Sequence, residues 1–275
     1  GIVPCLLMIV GLFLIPESPR WLAKVGREEE SESALLRLRG NESDVTREAH
    51  EIQESIEMVK GIPKIGILDL FESKNLRRPL IIGVGLMIFQ QFGGVNGIGF
   101  YSTHIFLDAG FSERVGTICY ALIQIPFTVL GAMLMDKSGR RPLIMISSLG
   151  MCIGCALSGT SFYLKEENVW VPSMTFAGLI VYVSSFSIGM GAGPWVIMSE
   201  IFPIHMKGIG GSLVVVVSWL GAWIVSFTFN FLNDWSSAGT FFLYGGVCAS
   251  AVAFAGAVVP ETKGKTLEEI QELMD

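Results

Sequence analysis

The chain has 275 residues, 51% of them hydrophobic and only 16% charged, with a mean hydropathy of +0.56. That balance excludes an ordinary soluble domain and describes a protein whose solvent is largely lipid. The formal charge of −6 says little about partners, because the acids share the same polar segments as the bases; no nucleic-acid partner is expected.

The first apolar run, Ile2 to Ile15, is shorter than the roughly 20 residues needed to cross a bilayer. It reads as the end of a span over residues 1–16. A signal peptide is excluded by the lack of a basic segment before it and by Pro16-Glu17-Ser18-Pro19-Arg20 after it. A polar segment, 17–78, follows as a helical domain. It contains a charged helix over Arg27–Arg39 and a second helix that Asp44 caps. In that second helix Val45, Ala49, Ile52, Ile56 and Val59 recur at helical spacing. This apolar stripe needs a partner, and the ends of a membrane bundle are the expected surface.

Six uncharged spans come next, at about 79–107, 115–135, 142–164, 171–198, 208–232 and 238–259. Their connecting segments give the orientation. Seventeen Lys and Arg lie in 17–78, 136–141, at Lys207 and in the tail 260–275, against only Arg114 and Lys165 in the opposite loops. The bias places the long polar segment and the C-terminus in the cytoplasm. The sequon Asn41-Glu42-Ser43 is on that side and should be unused. Cys152 and Cys155 form a CxxC inside a span, where close packing is the expected role. His50, His104 and His205 are scattered, so neither a metal, a cofactor nor an enzyme activity is expected.

The most unusual stretch is Gln90 to Tyr101 in the first complete span, with three amides (Gln90, Gln91, Asn96) and four glycines. A buried amide without partners costs a few kcal/mol, so intramembrane amides face a cavity, a neighbouring helix or a substrate. At roughly 100° per residue, Asn96 falls about 120° from Gln90 and about 140° from Gln91. A straight helix cannot aim all three at one target; the glycines allow it to break. In the fourth span, Gly189, Gly191, Gly193 and Pro194 weaken the helix in the same way. Paired interrupted spans are a pointer to a transport site for a neutral, hydroxyl-rich solute. Trp195 and Trp219 are each read as core packing or as a flat face against such a solute. No Asp or Glu lies inside the six spans, so no proton relay is legible.

Five ordered motifs resemble those of the major facilitator superfamily sugar porters. Pro16–Leu22 resembles PESPRWL, Gln90–Tyr101 QQxxGxNxxxYY, Asp136–Arg141 DxxGRR, Gly193–Pro203 the GPxxWxxxExFP segment, and Pro260–Thr266 PETKGKT. The wording around Phe71–Gly110 is most similar to plant monosaccharide transporters of the early-responsive-to-dehydration type. The resemblance implies an all-α membrane protein: the C-terminal six-helix half of a twelve-helix fold, with the helical domain inserted on the cytoplasmic side. It implies transport of a monosaccharide (a hexose) by alternating access, in the vacuolar or plasma membrane. A truncated, non-transporting or sugar-sensing protein is the alternative. It further implies that Gln90, Gln91, Asn96, Trp195 and Trp219 meet the sugar. Glu17, Arg20, Asp136, Arg140, Arg141, Glu200 and Glu261 would form the cytoplasmic charge network. The expected partners are the small neutral sugar, the lipid bilayer and an N-terminal six-helix half. Phe100, Ala192 and Ala222 depart from the family pattern, so sugar preference is expected to differ.

Overall fold

A computed structural model describes residues 2–40, 44–60, 74–164, 170–203, 206–265 and 269–270. It divides into two compact units, Gly1–Lys64 and Ile65–Asp275. The sequon at 41–43 and most of the tail after Lys265 lie outside the described residues, although Glu269 and Ile270 are helical.

In the first unit, α1 (Ile2–Leu12) is exposed along its length. Three short helices follow: α2 (Pro19–Lys24), α3 (Glu28–Arg39) and α4 (Thr46–Lys60). Ser18 caps α2 by accepting from the Trp21 amide at 3.4 Å, with Pro19 in the first turn where no amide donor is needed. Helix α3 has three glutamates in its first turn and Arg37 and Arg39 in its last, both matched to the helix dipole. Asp44, the expected cap of α4, stands one residue before the cap position, which Val45 holds, and accepts from the Thr46 amide at 3.1 Å and its hydroxyl at 2.6 Å. The apolar stripe of α4 finds its partner within its own unit. Val45 and Ile52, flanked by Ala49 and Ile56, pack with Ala23 of α2 and Leu35 of α3. Three amphipathic helices thus cover one another, because none can bury its own narrow face alone.

The second unit contains α5 (Lys74–Phe92), α6 (Val95–Phe100), α7 (Ser102–Asp108), α8 (Glu113–Ser138) and α9 (Arg140–Tyr163). It continues with α10 (Val171–Ser185), a π-helical turn (Phe186–Met190), α11 (Gly193–Ile201), α12 (Lys207–Trp235) and α13 (Ser237–Ala257). Six segments are long and apolar enough to cross a membrane, starting at Leu76, Glu113, Arg140, Val171, Lys207 and Ser237. Two of the six are broken: the first between α5 and α6, the fourth between α10 and α11.

Helix α9 sits between α10 and α13, and the α9–α10 seam is built for close approach. A Cβ on Gly154 would lie 2.7 Å from the Gly178 carbonyl oxygen and the Tyr182 nitrogen. Lipid gives no hydrophobic incentive for helices to associate, so small residues and interhelical hydrogen bonds carry the packing. Ser147, Ser158, Ser161 and Thr175, all buried, line this seam. Helix α12 shows its core face through Gly210, Val214, Ser218, Gly221, Val225 and Phe229, while Trp219, Trp223, Phe227 and Phe231 are exposed.

Candidate functional site

The first break is made by glycine. The Gly93 amide still donates to Phe89 in helical fashion, but the Gly94 amide donates to Gln91, three residues back. Gly94 then takes φ +97°, and a Cβ there would also lie 2.5 Å from the Tyr244 ring. Backbone conformation and neighbouring ring each require glycine at this position. Helix α6 resumes immediately after it.

The second break is made by proline. Pro194 has no N–H, so the Met190 carbonyl loses the donor it would have in a regular helix. The Trp195 and Val196 amides both turn to the Ala192 carbonyl, each at 3.1 Å. The Gly191 carbonyl is thereby left without its usual partner. Gln90 meets both deficits: its Nε2 donates to Met190 O at 2.7 Å and to Gly191 O at 2.9 Å. The repair is reciprocal, since the Tyr182 hydroxyl of α10 donates to the Gly93 carbonyl at 2.9 Å.

From Gln90 the polar groups run in a chain. Gln91 Nε2 donates to Gln90 Oε1 at 3.3 Å and to Ser218 Oγ of α12 at 3.0 Å. Asn96 Nδ2 donates to Gln91 Oε1 at 2.5 Å. The glycine break has thus brought together amides that a straight helix would splay. Gln90 and Gln91 are 2% and 8% exposed, whereas Asn96 is half-buried. Both amide hydrogens of Gln90 and of Gln91 are engaged. Asn96 keeps its second amide hydrogen and its carbonyl for a solute, Ser218 keeps its hydroxyl hydrogen, and the Gln90 and Gln91 side-chain oxygens each keep a second lone pair. The chain carries no formal charge, and it offers donors and acceptors suited to hydroxyl groups.

Trp195 is half-buried and packs against the main core. Trp219 is 71% exposed, beside Ser218 but outside the hydrogen-bonded chain. Phe100 is also exposed, while Tyr101 stacks on Phe229 with ring centroids 4.9 Å apart. Two participants were not anticipated. Ser218 had a weak signal as a hydroxyl beside a mid-span Trp; Tyr182, one of several aromatics in its span, had none.

At one end of the unit the charged motifs converge. Arg140 donates from Nη2 and Nε to Glu200 Oε1 at 3.0 and 3.2 Å, and from Nη1 to Met135 O at 3.1 Å. Thr262 Oγ1 donates to the other Glu200 oxygen at 2.5 Å. Glu261 accepts from the Arg140 and Arg141 amides at 3.0 and 3.2 Å, which places a carboxylate on the N-terminus of α9. Gly139 has φ +94°, and a Cβ there would lie 2.7 Å from Glu261 Oε2, so this glycine admits the carboxylate. The Arg141 guanidinium donates to the Gly256 carbonyl. Asp136 is peripheral, 3.8 Å from Arg140 and 83% exposed.

Glu17 and Arg20 belong to the first unit. There Glu17 accepts from the Ser18 amide at 2.9 Å, and Arg20 lines a hollow with Arg39, Asp44, Arg47 and Glu48. In that hollow the Arg39 side-chain hydrogen bond holds the Glu48 carboxyl below its ordinary range, and the Thr46 hydroxyl does the same for Asp44.

The family model described as "Sugar (and other) transporter" matches residues 1–274. Sugar transporter ERD6-like 16 of Arabidopsis thaliana is 58% identical over 98% of this chain and 57% of its own length. Sugar transporter ERD6-like 7 of the same plant is 52% identical over 100% of the chain and 60% of its own length. The chain therefore spans less than two thirds of the length of these relatives. Among solved structures, the major facilitator superfamily proton:xylose symporter XylE bound to 6-bromo-6-deoxy-D-glucose superimposes with a TM-score of 0.76 at 36% identity. That match covers 99% of this chain and 57% of XylE. An inward-open form of XylE from E. coli gives 0.76 at 33% identity, covering 99% and 55%.

Proposed function

Because the chain belongs to the sugar transporter family and has the fold of one six-helix half of a major facilitator superfamily protein, we propose that the protein containing it carries a monosaccharide across a membrane by alternating access. One observation carries this reading: an uncharged chain of amides, Gln90–Gln91–Asn96, tied to Ser218 where two interrupted spans meet. Interrupted helices at mid-membrane are where transporters bind solutes, and an unsatisfied hydroxyl-rich solute finds donors and acceptors there without a charge to desolvate. The likeness to XylE, described as a xylose symporter and solved with a glucose derivative, supports a monosaccharide-sized substrate.

In this reading Asn96 and Ser218 contact the sugar, Gln91 orients both, and Gln90 fixes the position of Gln91. A second six-helix half closes the cavity from the other side. The seventeen-to-two distribution of basic residues supports a cytoplasmic 17–78 segment and C-terminus. The Arg140–Glu200–Glu261 cluster then lies at the cytoplasmic helix ends, where breaking and re-forming it would gate access. None of the six spans has an interior carboxylate, so no proton relay is legible in this half.

Uptake of radiolabelled hexoses and pentoses by the full-length protein in a transport-deficient host tests this reading. Saturable uptake is expected, and no uptake of any monosaccharide overturns it. Gln91→Ala is expected to raise KM at least tenfold with little change in folded protein; parallel loss of both would make Gln91 a packing residue instead.

A further inference from the structure

Ser147 of α9 belongs to no motif and contributes nothing to the amide chain directly, yet its hydroxyl occupies a singular place. It is 1% exposed. Its Oγ donates to the Ser185 carbonyl at 2.6 Å and accepts from the Met190 amide at 2.8 Å. Those backbone groups are five residues apart, the spacing that closes a π-helical ring, and the Gly191 amide donates to Phe186 with the same spacing at 2.8 Å. The hydroxyl is therefore inserted across the widened turn, a recognised cause of local distortion in a helix.

The turn is held from both sides at backbone distance. A Cβ on Gly189 would lie 2.6 Å from the Leu143 carbonyl oxygen and 2.7 Å from the Ser147 Cβ. A Cβ on Gly131 of α8 would lie 2.8 Å from the Ile188 Cα. Ser148 adds a second fastening, donating to the Met190 sulfur at 3.7 Å. The carbonyl that follows the Met190 amide, with its neighbour at Gly191, is what Gln90 grips.

We propose that Ser147 is a positioning residue: by bridging Ser185 and Met190 it sets where the Met190 and Gly191 carbonyls stand, and through Gln90 it sets the aim of Gln91 and Asn96. The affinity of the site is tuned from a helix that gives it no side chain. The inference rests on reading the amide chain as the sugar site. Its physical basis is register. Without the bridge the turn relaxes toward α-helical spacing, and one residue of re-registration rotates the two carbonyls by up to roughly 100° about the helix axis. Gln90 cannot follow both.

Ser161 supplies the control. It is equally buried, lies on the same helix, donates to the Val171 carbonyl at 2.8 Å and bonds Thr175 Oγ1 at 2.6 Å. It joins the same two helices and touches no residue of the amide chain.

In the full-length protein, Ser147→Ala and Ser161→Ala are compared for melting temperature, uptake kinetics and structure by cryo-electron microscopy. Both are expected to lower the melting temperature by similar amounts. Ser147→Ala alone is expected to raise KM about five- to tenfold, the affinity equivalent of one lost hydrogen bond, with Vmax little changed. Its structure is expected to show a contracted turn at 186–190, with Gln90 detached from at least one carbonyl. An unchanged turn with Gln90 still on both carbonyls overturns the proposal, as does an equal KM in the two variants. Absence of saturable uptake by the unmodified protein overturns the transport reading alone, because the response of the turn to Ser147→Ala still decides the positioning role.

Discussion

The two broken spans solve one problem by different means. Between α5 and α6 the chain is broken by conformational freedom. Gly94 adopts φ +97°, and the freed Gly93 carbonyl accepts from the Tyr182 hydroxyl at 2.9 Å and from the Cys248 thiol at 3.9 Å. Between α10 and α11 it is broken by subtraction. Pro194 removes a donor, and the repair takes both amide hydrogens of Gln90 from α5. The glycine break thus leaves one backbone carbonyl for other helices to satisfy, whereas the proline break leaves two. Each span repairs the other, so the spacing between the two breaks is fixed by three strong hydrogen bonds at 2.7 to 2.9 Å.

This difference can be broken from either side. The largest effect is expected at the glycine break, where Gly94→Ala combines a left-handed backbone with displacement of the Tyr244 ring. A loss of about 3 kcal/mol is expected, read as a large drop in melting temperature of the detergent-solubilised full-length protein. Stability like that of the unmodified protein would show that the break tolerates a side chain. Next comes Gln90→Leu, which leaves the Met190 and Gly191 carbonyls without their side-chain donor and should cost about 2 kcal/mol. Adding Pro194→Ala should recover part of that loss, because the restored amide at 194 gives Met190 O a backbone partner. If the double variant is no more stable than the single one, the proline is not the origin of the deficit. The smallest effect is expected for Tyr182→Phe, about 1 kcal/mol, because interhelical hydrogen bonds in membranes contribute modestly and only one bond is lost. A Tyr182→Phe cost matching that of Gln90→Leu would make the two breaks equivalent and contradict the asymmetry described above.

Much of this was legible before any coordinates. Gly93-Gly94 and Gly193-Pro194 mark the breaks because glycine and proline act locally, through φ and through the missing N–H. The six spans are legible because lipid demands continuous apolar length. The grouping of Arg140, Arg141, Glu200 and Glu261 follows from the motifs, and the structure brings these four together. It leaves Asp136 at the margin and gives the α4 stripe a partner within its own unit. Trp219 and Ser218 show the limit most clearly. A mid-span Trp draws attention, but it is the adjacent serine that completes the amide chain, since one residue is a turn of roughly 100° and decides which face looks inward.

The sequence alone thus determined where helices run, where they fail and that their failures carry uncharged amides. Those properties depend on the chain's own covalent geometry and on its solvent. Only the tertiary structure decided what each amide does. Gln90 spends both its donors on another helix's backbone, Gln91 passes the chain to Ser218, and Asn96 keeps free groups for a solute. Those assignments depend on acceptors that exist only when the Met190–Gly191 backbone and α12 lie beside α5, between 100 and 127 residues away along the chain, and no local rule encodes that distance.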